Sequence, residues 1–275
     1  MKAVVAGWIR CSTRGVELIE NRILNCLPSR DTEQDWLAVH AAGSGLVSTP
    51  QALPQAVDLR EQWWDVGDQG ATGSCVGWAT ADTLLRWHYV KSGMLDESSR
   101  PSVRFHWMAA KETDNFTVRP TTFIEEDGTS LKSALDVARK FGSVREETLP
   151  FLSGALYHGD SAGFYSMAAK LRISAYFNLG RNLDGWRRWL AGQGPVLARL
   201  DVDATWDQAT TTKGVLNRYQ ADTARGGHAV ALVGYNESHF IVRNSWGTQW
   251  GDAGYAYATP EYASAAFTEV YGIAL

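Results

Sequence analysis

The chain has 275 residues, enough to bury a sizeable core, and its formal net charge is −4. Its basic residues are scattered along the sequence, which excludes the electrostatic pattern of a nucleic-acid-binding protein. Twelve tryptophans, ten tyrosines and nine phenylalanines predict a well-packed core and an aromatic-lined cleft, and core packing by itself accounts for most of them.

The N-terminal residues show no targeting signal. The apolar stretch at residues 3–9 is interrupted by Gly7 and too short for a secretory signal, and no stretch approaches the length of a membrane span. Three cysteines, Cys11, Cys26 and Cys75, cannot make a disulfide framework, although oxidation could join Cys11 to Cys26. We therefore expect the cytoplasm or another reducing compartment, with export by a non-classical route as the alternative.

Residues 1–54 differ in pattern from the rest of the chain. An amphipathic stretch at 16–27 is followed by a loop of small residues at 41–54. We interpret residues 1–54 as an N-terminal extension and residues 55–275 as one domain. Two placements of the extension stay open: it covers the functional site and limits access, or it packs on the back of a lobe.

The first half of the domain has helical periodicity. A glycine-rich turn at 67–74 leads into a predicted helix at 75–91, for which Ser74 is a candidate cap. Further helices are predicted at 105–112 and 131–141.

The second half changes to the alternation typical of strands. A short helix is predicted at 183–191, and strands are predicted at 172–179, 195–200, 228–235, 239–244 and 254–259. Helices first and antiparallel strands second indicate an α+β fold with a helical lobe at about 60–168 and a β lobe at about 169–275. Their junction is the natural place for a cleft.

Cys75 stands where the glycine-rich turn becomes a helix. The unpaired N–H groups and the dipole of a helix N-terminus stabilise a thiolate, which is the nucleophilic form of cysteine. A buried cysteine more often packs as a small apolar residue, so the neighbouring residues must decide between the two interpretations.

His228 and Asn244 supply those neighbours. An imidazole beside a thiol can accept its proton, and the Asn244 side-chain oxygen could accept the other imidazole N–H across a hairpin. A histidine without such partners is more often structural.

Gln69, six residues before Cys75, could place its amide beside the Cys75 N–H. One such oxyanion donor contributes about 3 kcal/mol to transition-state stabilisation. The simpler interpretation of Gln69 is a solvated turn.

Three segments together resemble the papain-like cysteine peptidases of the papain and cathepsin type. They are residues 69–79, the run Gly-His-Ala-Val-Ala-Leu-Val-Gly-Tyr at 227–235, and Asn-Ser-Trp-Gly at 244–247 continuing to Gly-Tyr at 254–255. The resemblance extends over about 57–255 and suggests a bacterial member with a short N-terminal extension. It implies a helical left lobe and an antiparallel β-barrel-like right lobe, with the active-site cleft between them.

The resemblance also implies a role for each matching residue. Cys75 is the nucleophile, His228 the acid and base, Asn244 the orienting residue and Gln69 the oxyanion donor, while Trp246 shields the imidazole–amide bond from water. No metal or organic cofactor is implied. The expected partner of a monomeric enzyme is a peptide or protein substrate, without nucleic acid or membrane.

A second group of residues is implied to bind the substrate. Gly128 matches the first of two glycines that bind a substrate backbone in the family, and Thr129 replaces the second. The same residues also fit an ordinary helix N-terminus capped by Thr129 or Ser130. By resemblance, Leu131 and Ala229 line the main specificity pocket.

Three features depart from the family pattern. Val76 stands where an aromatic residue usually follows the nucleophile, and Thr72 stands where a disulfide-forming cysteine is usual, in agreement with a reducing environment. The extension is shorter than the usual inhibitory propeptide of the family's zymogens and lacks its long helical pattern.

The preferred function is a cysteine endopeptidase that hydrolyses peptide bonds through a Cys75 thiolate, a His228 imidazolium and an acyl-enzyme intermediate. A transamidase or deamidase acting on a protein partner would use the same residues. A catalytically idle interaction module is disfavoured because all four expected side chains are present.

Overall fold

The computed structural model describes residues 22–48, 52–114 and 119–275. The apolar start, Cys11 and the first part of the amphipathic stretch at 16–27 lie outside these residues, and with them the suggested pairing of Cys11 with Cys26. Within these ranges, no helix is long and apolar enough to cross a membrane.

The helices lie close to the predicted positions. The predicted helix at 75–91 is confirmed, and its middle turns are π-helical. Three helices were not predicted: the first, which includes the start of the predicted loop at 41–54, the fifth and the seventh. In chain order the helices are α1 (Ala38–Gly43), α2 (Cys75–Gly77, the π-helical segment Trp78–Leu85 and Arg86–Lys91), α3 (Val103–Thr113), α4 (Leu131–Lys140), α5 (Ser161–Ala168), α6 (Leu183–Gly192) and α7 (Pro260–Ala266).

Side-chain caps explain where several helices begin. Ser102, Ser130 and Asn182 accept hydrogen bonds from backbone N–H groups in the first turns of α3, α4 and α6. The proposed cap of α2 is wrong in detail, because the Ser74 side chain makes no such bond. Its hydroxyl lies 2.6 Å from that of Thr72.

The strands form one sheet in the second half of the chain. They are β1 (Val57–Asp58), β2 (Ala175–Asn178), β3 (Val196–Val202), β4 (Val215–Leu216), β5 (Gly226–Tyr235), β6 (Phe240–Arg243), β7 (Tyr255–Ala258) and β8 (Phe267–Ala274). The order is β2-β8-β3-β5-β6-β7-β4, and β1 pairs with β5. All pairs are antiparallel except β4 with β7.

The α+β prediction is confirmed, with one correction. The order of the described strands does not return to its start, so the sheet is open rather than closed into the barrel-like lobe that the resemblance implied. Strand β8 was not predicted, although it is paired on both sides, with β2 at the edge of the sheet and with β3. The division of the chain at residue 54 stays a prediction.

Two apolar cores lie on either side of the cleft. One packs around the sheet and includes Trp186, Trp189 and Trp206. The other packs beneath α2 and α4 and includes Cys75 and Leu131. Among the described residues eight tryptophans are buried, which agrees with the core interpretation: Trp64, Trp78, Trp107, Trp186, Trp189, Trp206, Trp246 and Trp250.

A buried ion pair joins α2 to the sheet. Arg243, the last residue of β6, donates to Asp82 Oδ2 at 3.0 Å and to Thr83 Oγ1 at 2.8 Å. Arg86 Nη1 lies 3.3 Å from the other Asp82 oxygen. Asp82 and Arg243 are each 1% exposed, so neither charge could be solvated if its partner were removed.

We therefore expect Asp82→Ala to lower the free energy of unfolding by about 3–5 kcal/mol, because it leaves the buried Arg243 guanidinium without its counter-ion. Urea denaturation followed by fluorescence measures this change. The matched control is Asp58→Ala, which removes an exposed pair with Arg60 and should cost about 1 kcal/mol or less. Equal losses in the two variants would contradict the assignment.

Candidate active site

Cys75 is the first residue of α2 and is fully buried. The loop before it is held close to a neighbouring segment: Gly73 N–H donates to Glu125 O at 2.8 Å. A Cβ atom at Gly73 would lie 2.6 Å from Glu126 O, so only glycine fits there. The predicted turn from a glycine-rich loop into a helix N-terminus is therefore present, with the thiol at its end.

The imidazole and the amide meet as predicted. His228 lies in β5, and Asn244 follows the last residue of β6, the neighbouring antiparallel strand. His228 Nε2 and Asn244 Oδ1 are 2.8 Å apart, and both residues are buried. His228 Nδ1 makes no hydrogen bond to the residues that the structure describes. With Nε2 committed to the amide, Nδ1 is the ring nitrogen left to exchange a proton with a neighbouring group.

Aromatic rings enclose this hydrogen bond. The ring of Trp246 lies 4.9 Å from the His228 ring, as the predicted shielding role requires. Trp206 meets His228 edge-on at 5.7 Å, and Trp250 stacks on Trp206 at 4.9 Å. The sequence did not single out Trp206 or Trp250, and the high tryptophan content was the only signal for them. Both bonded residues are buried beside this cluster, and the shielding role stays a prediction.

Cys75 has an acidic thiol. Hydrogen bonding from Cys26 is the largest influence that lowers the pKa of Cys75; burial opposes it, and His228 lowers the pKa further. The result lies well below the usual value for a thiol. The pKa of Cys26 is raised well above that value, by burial first and then by Cys75. Of the two thiols, Cys75 is therefore the more acidic one.

Gln69 is buried in the loop before Cys75. Its Nε2 donates to Thr72 O at 3.0 Å, and its Oε1 accepts from Ser245 Oγ at 2.9 Å. The backbone N–H of Gln69 also donates to Ser245 O at 2.8 Å. The loop is thus tied to the residue after Asn244. One of the two Gln69 amide hydrogens is used by Thr72, and the oxyanion role stays a prediction for the other.

The predicted substrate-binding residues lie together. Leu131 and Ala229 are fully buried in the apolar core that contains Cys75. The hydroxyl of Thr129 donates to Asp114 Oδ2 at 2.8 Å, whereas its backbone oxygen accepts from Leu27 N–H at 3.0 Å. At Gly128, an added Cβ would lie 2.1 Å from Asn25 O. These positions are therefore in contact with the N-terminal part of the chain.

Residues 22–30, which we call the cleft segment, run between the two lobes. Cys26 N–H donates to Gly227 O at 2.9 Å, next to His228, and Leu27 N–H donates to Thr129 O. Arg22 pairs with Asp68 at 2.5 Å and donates to Trp246 O. The segment thus contacts both walls of the site.

The described part of the extension makes contacts in two places, and which of the two predicted placements applies to the extension stays a prediction. The cleft segment lies over the site. The following residues pack elsewhere: Asn178 N–H donates to Trp36 O at 2.7 Å, and Lys132 pairs with Asp35 at 2.6 Å. This second part lies along β2, at the edge of the sheet.

Arg199 is a charged residue of the cleft that the sequence did not single out. It is buried in β3, and its Nε donates to Cys26 O at 3.0 Å. Its other contacts are Thr268 Oγ1 at 2.8 Å and Asp201 Oδ1 at 3.1 Å. Glu269 accepts from Ser29 N–H at 2.8 Å nearby. The available signal was a charged residue within the otherwise apolar strand predicted at 195–200.

Across the described ranges, His, Cys, Asp and Glu side chains form no group of three or more that could hold a metal ion.

Curated relatives share the catalytic part of the chain. A cathepsin L-like proteinase of Fasciola hepatica is 26% identical over 214 residues, which cover 74% of this chain and 60% of the relative. Cysteine proteinase B of Leishmania mexicana is also 26% identical, with 74% and 44% covered. The chain therefore spans between about two fifths and three fifths of the length of these relatives.

Solved structures share the fold. Xylellain, a cysteine protease from Xylella fastidiosa, superposes with a TM-score of 0.76 at 23% identity, over 92% of this chain and 96% of that one. Digestive procathepsin L 3 of Tenebrio molitor larval midgut superposes with a TM-score of 0.65 at 18% identity, over 94% and 79%.

The family model described as papain family cysteine protease matches residues 53–267, which contain all four predicted catalytic residues. This match covers well over half of the sequence and includes both lobes. The chain therefore belongs to the papain family of cysteine proteases.

Proposed function

We propose that this protein is a cysteine endopeptidase with Cys75 as its nucleophile. The observation that carries the proposal is the buried contact of 2.8 Å between His228 Nε2 and Asn244 Oδ1, beside a thiol whose pKa is lowered. An orienting amide, an imidazole and an acidic thiol are the parts that thiol-based acyl transfer requires.

In the proposed mechanism, the Cys75 thiolate attacks the carbonyl carbon of a peptide bond. The backbone N–H of Cys75 and the Gln69 amide hold the developing oxyanion. The His228 imidazolium then gives its proton to the leaving amine, which breaks the C–N bond and leaves an acyl-enzyme. Water, deprotonated by His228, attacks the acyl carbon and releases the acid and the Cys75 thiolate.

The cleft segment makes the described form an inhibited one. It occupies the backbone groups of Gly227 and Thr129, and Cys75 beneath it is fully buried. Since a substrate backbone needs the same groups, substrate and segment exclude each other. Activity therefore requires that the segment leaves the cleft, by displacement or by cleavage. Proforms among the structural relatives, such as procathepsin L 3, are consistent with this.

Gly226→Ala should release the segment selectively. A Cβ there would lie 2.3 Å from Leu24 O and 2.9 Å from Leu24 Cβ, both atoms of the cleft segment. We expect peptidase activity on an unfolded protein substrate to rise about tenfold or more, as a destabilisation of the closed form by about 1.4 kcal/mol would give.

The matched control is Gly185→Ala in α6, where the nearest atom to an added Cβ is 3.7 Å away. It should leave activity unchanged. If the folded Gly226→Ala protein were no more active than this control, inhibition by the segment would be refuted.

Within the released Gly226→Ala protein, removing the catalytic groups should have graded effects. Cys75→Ala should abolish hydrolysis. Asn244→Ala should lower kcat about 100-fold or more because the imidazole loses its orienting partner, with a smaller change in KM. Progress curves on a fluorogenic peptide library measure both parameters.

Full activity in Cys75→Ala would refute the proposal. If the library produced amine-exchanged products in place of hydrolysed ones when an amine acceptor is supplied, the transamidase alternative would replace the peptidase.

The acidity of Cys75 predicts a pH profile. Since its pKa is lowered, the thiolate persists at neutral pH and is lost only as the pH falls through the lowered value. In the Gly226→Ala protein, where the contact with Cys26 is weakened, His228 still lowers the pKa of Cys75, and iodoacetamide should modify Cys75 at a rate that changes little from pH 9 down to about pH 7.

With His228→Ala added, the pKa of Cys75 should rise because one of the groups that lower it is removed, and the rate at pH 7 should fall about tenfold. Mass spectrometry of the Cys75 peptide follows the reaction. Identical pH profiles with and without His228 would show that the imidazole does not activate the thiol.

A further inference from the structure

The cleft segment places a second thiol against the nucleophile. Cys26 is 2% exposed and Cys75 is fully buried, and both belong to one apolar core. Both thiols are free, the Cys26 Sγ lies 3.9 Å from Leu27 O, and among the neighbours of Cys75 it is Cys26 that lowers the pKa of its thiol most. The segment therefore covers the nucleophile with the side chain that can react with it under oxidation.

The backbone holds Cys26 in this place from both sides. On the β side, Cys26 N–H donates to Gly227 O at 2.9 Å, and Arg199 Nε donates to Cys26 O at 3.0 Å. On the helical side, the amide of Asn25 donates to Glu126 O. The same amide packs on Gly73, two residues before Cys75, where an added Cβ would lie 2.6 Å from Asn25 Nδ2.

Packing does not require a cysteine at this position. A small apolar side chain would fill the same space, and many buried cysteines do no more than that. Cys26 differs because its neighbour is a thiolate rather than an inert side chain. Of the two sulfurs, Cys75 is the nucleophile and Cys26 keeps its proton. Such a pair has a reacting thiol and a resolving thiol, the arrangement found at sites of reversible thiol oxidation.

We propose that Cys26 and Cys75 are a covalent modification site, at which hydrogen peroxide converts the two thiols into a disulfide that ties the cleft segment across the active site. The proposal rests on the proposed function only in one respect: the disulfide inhibits an enzyme if the protein is a peptidase. The bond itself depends on the two thiols alone. A thiol reductant reverses the modification and returns the protein to its releasable form.

The reaction takes place in two steps. The Cys75 thiolate attacks one oxygen of the peroxide, the O–O bond breaks, and Cys75 becomes a sulfenic acid while hydroxide leaves. The hydroxide takes a proton from the His228 imidazolium and becomes water. The Cys26 sulfur then attacks the Cys75 sulfur, the S–OH bond breaks, and the second water carries away the Cys26 proton. Two thiols lose two electrons in total, and one peroxide becomes two waters.

The disulfide would also protect the nucleophile. A sulfenic acid without a neighbouring thiol is oxidised further to a sulfinic acid, which ordinary thiols do not reduce. With Cys26 beside it, the Cys75 sulfenic acid is consumed by disulfide formation. Oxidation thus stores the protein in an inactive form that a reductant can restore.

The test uses the reduced full-length protein treated with a small excess of hydrogen peroxide and digested without reductant. Mass spectrometry should find a cross-linked peptide pair containing Cys26 and Cys75, lighter by two hydrogens than the separate peptides. Gly226→Ala protein treated in the same way should lose its activity, and dithiothreitol should restore most of it.

Two cysteine variants show which thiol forms the disulfide with Cys75. Each is compared in the Gly226→Ala background after its fold is checked by circular dichroism. In Cys26→Ser, the cross-link should disappear, Cys75 should accumulate as sulfinic acid, and dithiothreitol should restore less than about a tenth of the activity. Cys11→Ser is the matched control and should behave as the parent. Cys26→Ala serves in place of Cys26→Ser if the latter does not fold.

Sulfinic acid formation at Cys75 to the same extent with and without Cys26 would overturn the proposal, as would a cross-link of Cys26 to Cys11 in place of Cys75. The cross-link is detected by mass and needs no activity. A Cys26–Cys75 cross-link in a protein without peptidase activity would therefore refute the proposed function while supporting the modification site.

Discussion

The buried contact between Asp82 and Arg243 is the constraint on which the site depends. Cys75 belongs to the helical lobe, whereas His228 and Asn244 belong to the sheet, so the distance between thiol and imidazole is set by how the lobes meet. Asp82 lies in the helix that begins at Cys75, and Arg243 directly precedes Asn244. Because both charges are buried, neither lobe can shift without breaking a costly interaction. The thiol and the imidazole are thereby held to each other.

A second constraint is the close approach of the cleft segment to the two walls. Gly128 and Gly226 each stand where a Cβ would lie within about 2.5 Å of that segment's backbone. In the proposed mechanism, the same glycines would leave room for an extended substrate once the segment has left. One set of small residues would then serve both the proposed inhibited state and the active state. This explains how an extension without a long helical pattern can still cover the site: extended backbone is enough.

Much of the secondary structure could be predicted because it follows from local patterns. The helices α2 and α4 have the expected periodicity, β5 and β6 are apolar runs at the predicted positions although their buried residues do not alternate, and the glycine-rich turn before Cys75 is a local feature of the sequence. Strand β8 was not found in this way. Its place between β2 and β3 depends on partners far away in the chain. The prediction of a barrel-like lobe was wrong for a related reason, because closure is a property of the whole sheet.

By itself, the sequence determined the chemistry of the site: a thiol at a helix start, an imidazole at the head of a strand and an amide at the end of the neighbouring one. Their spacing along the chain was enough, because each is set by a local turn or a hairpin. Only the tertiary structure decided that Cys26 lies against Cys75, that Arg199 binds the Cys26 carbonyl and that Trp206 covers His228. These residues are brought together across the two lobes, and no local periodicity specifies which distant segments pack in one cleft.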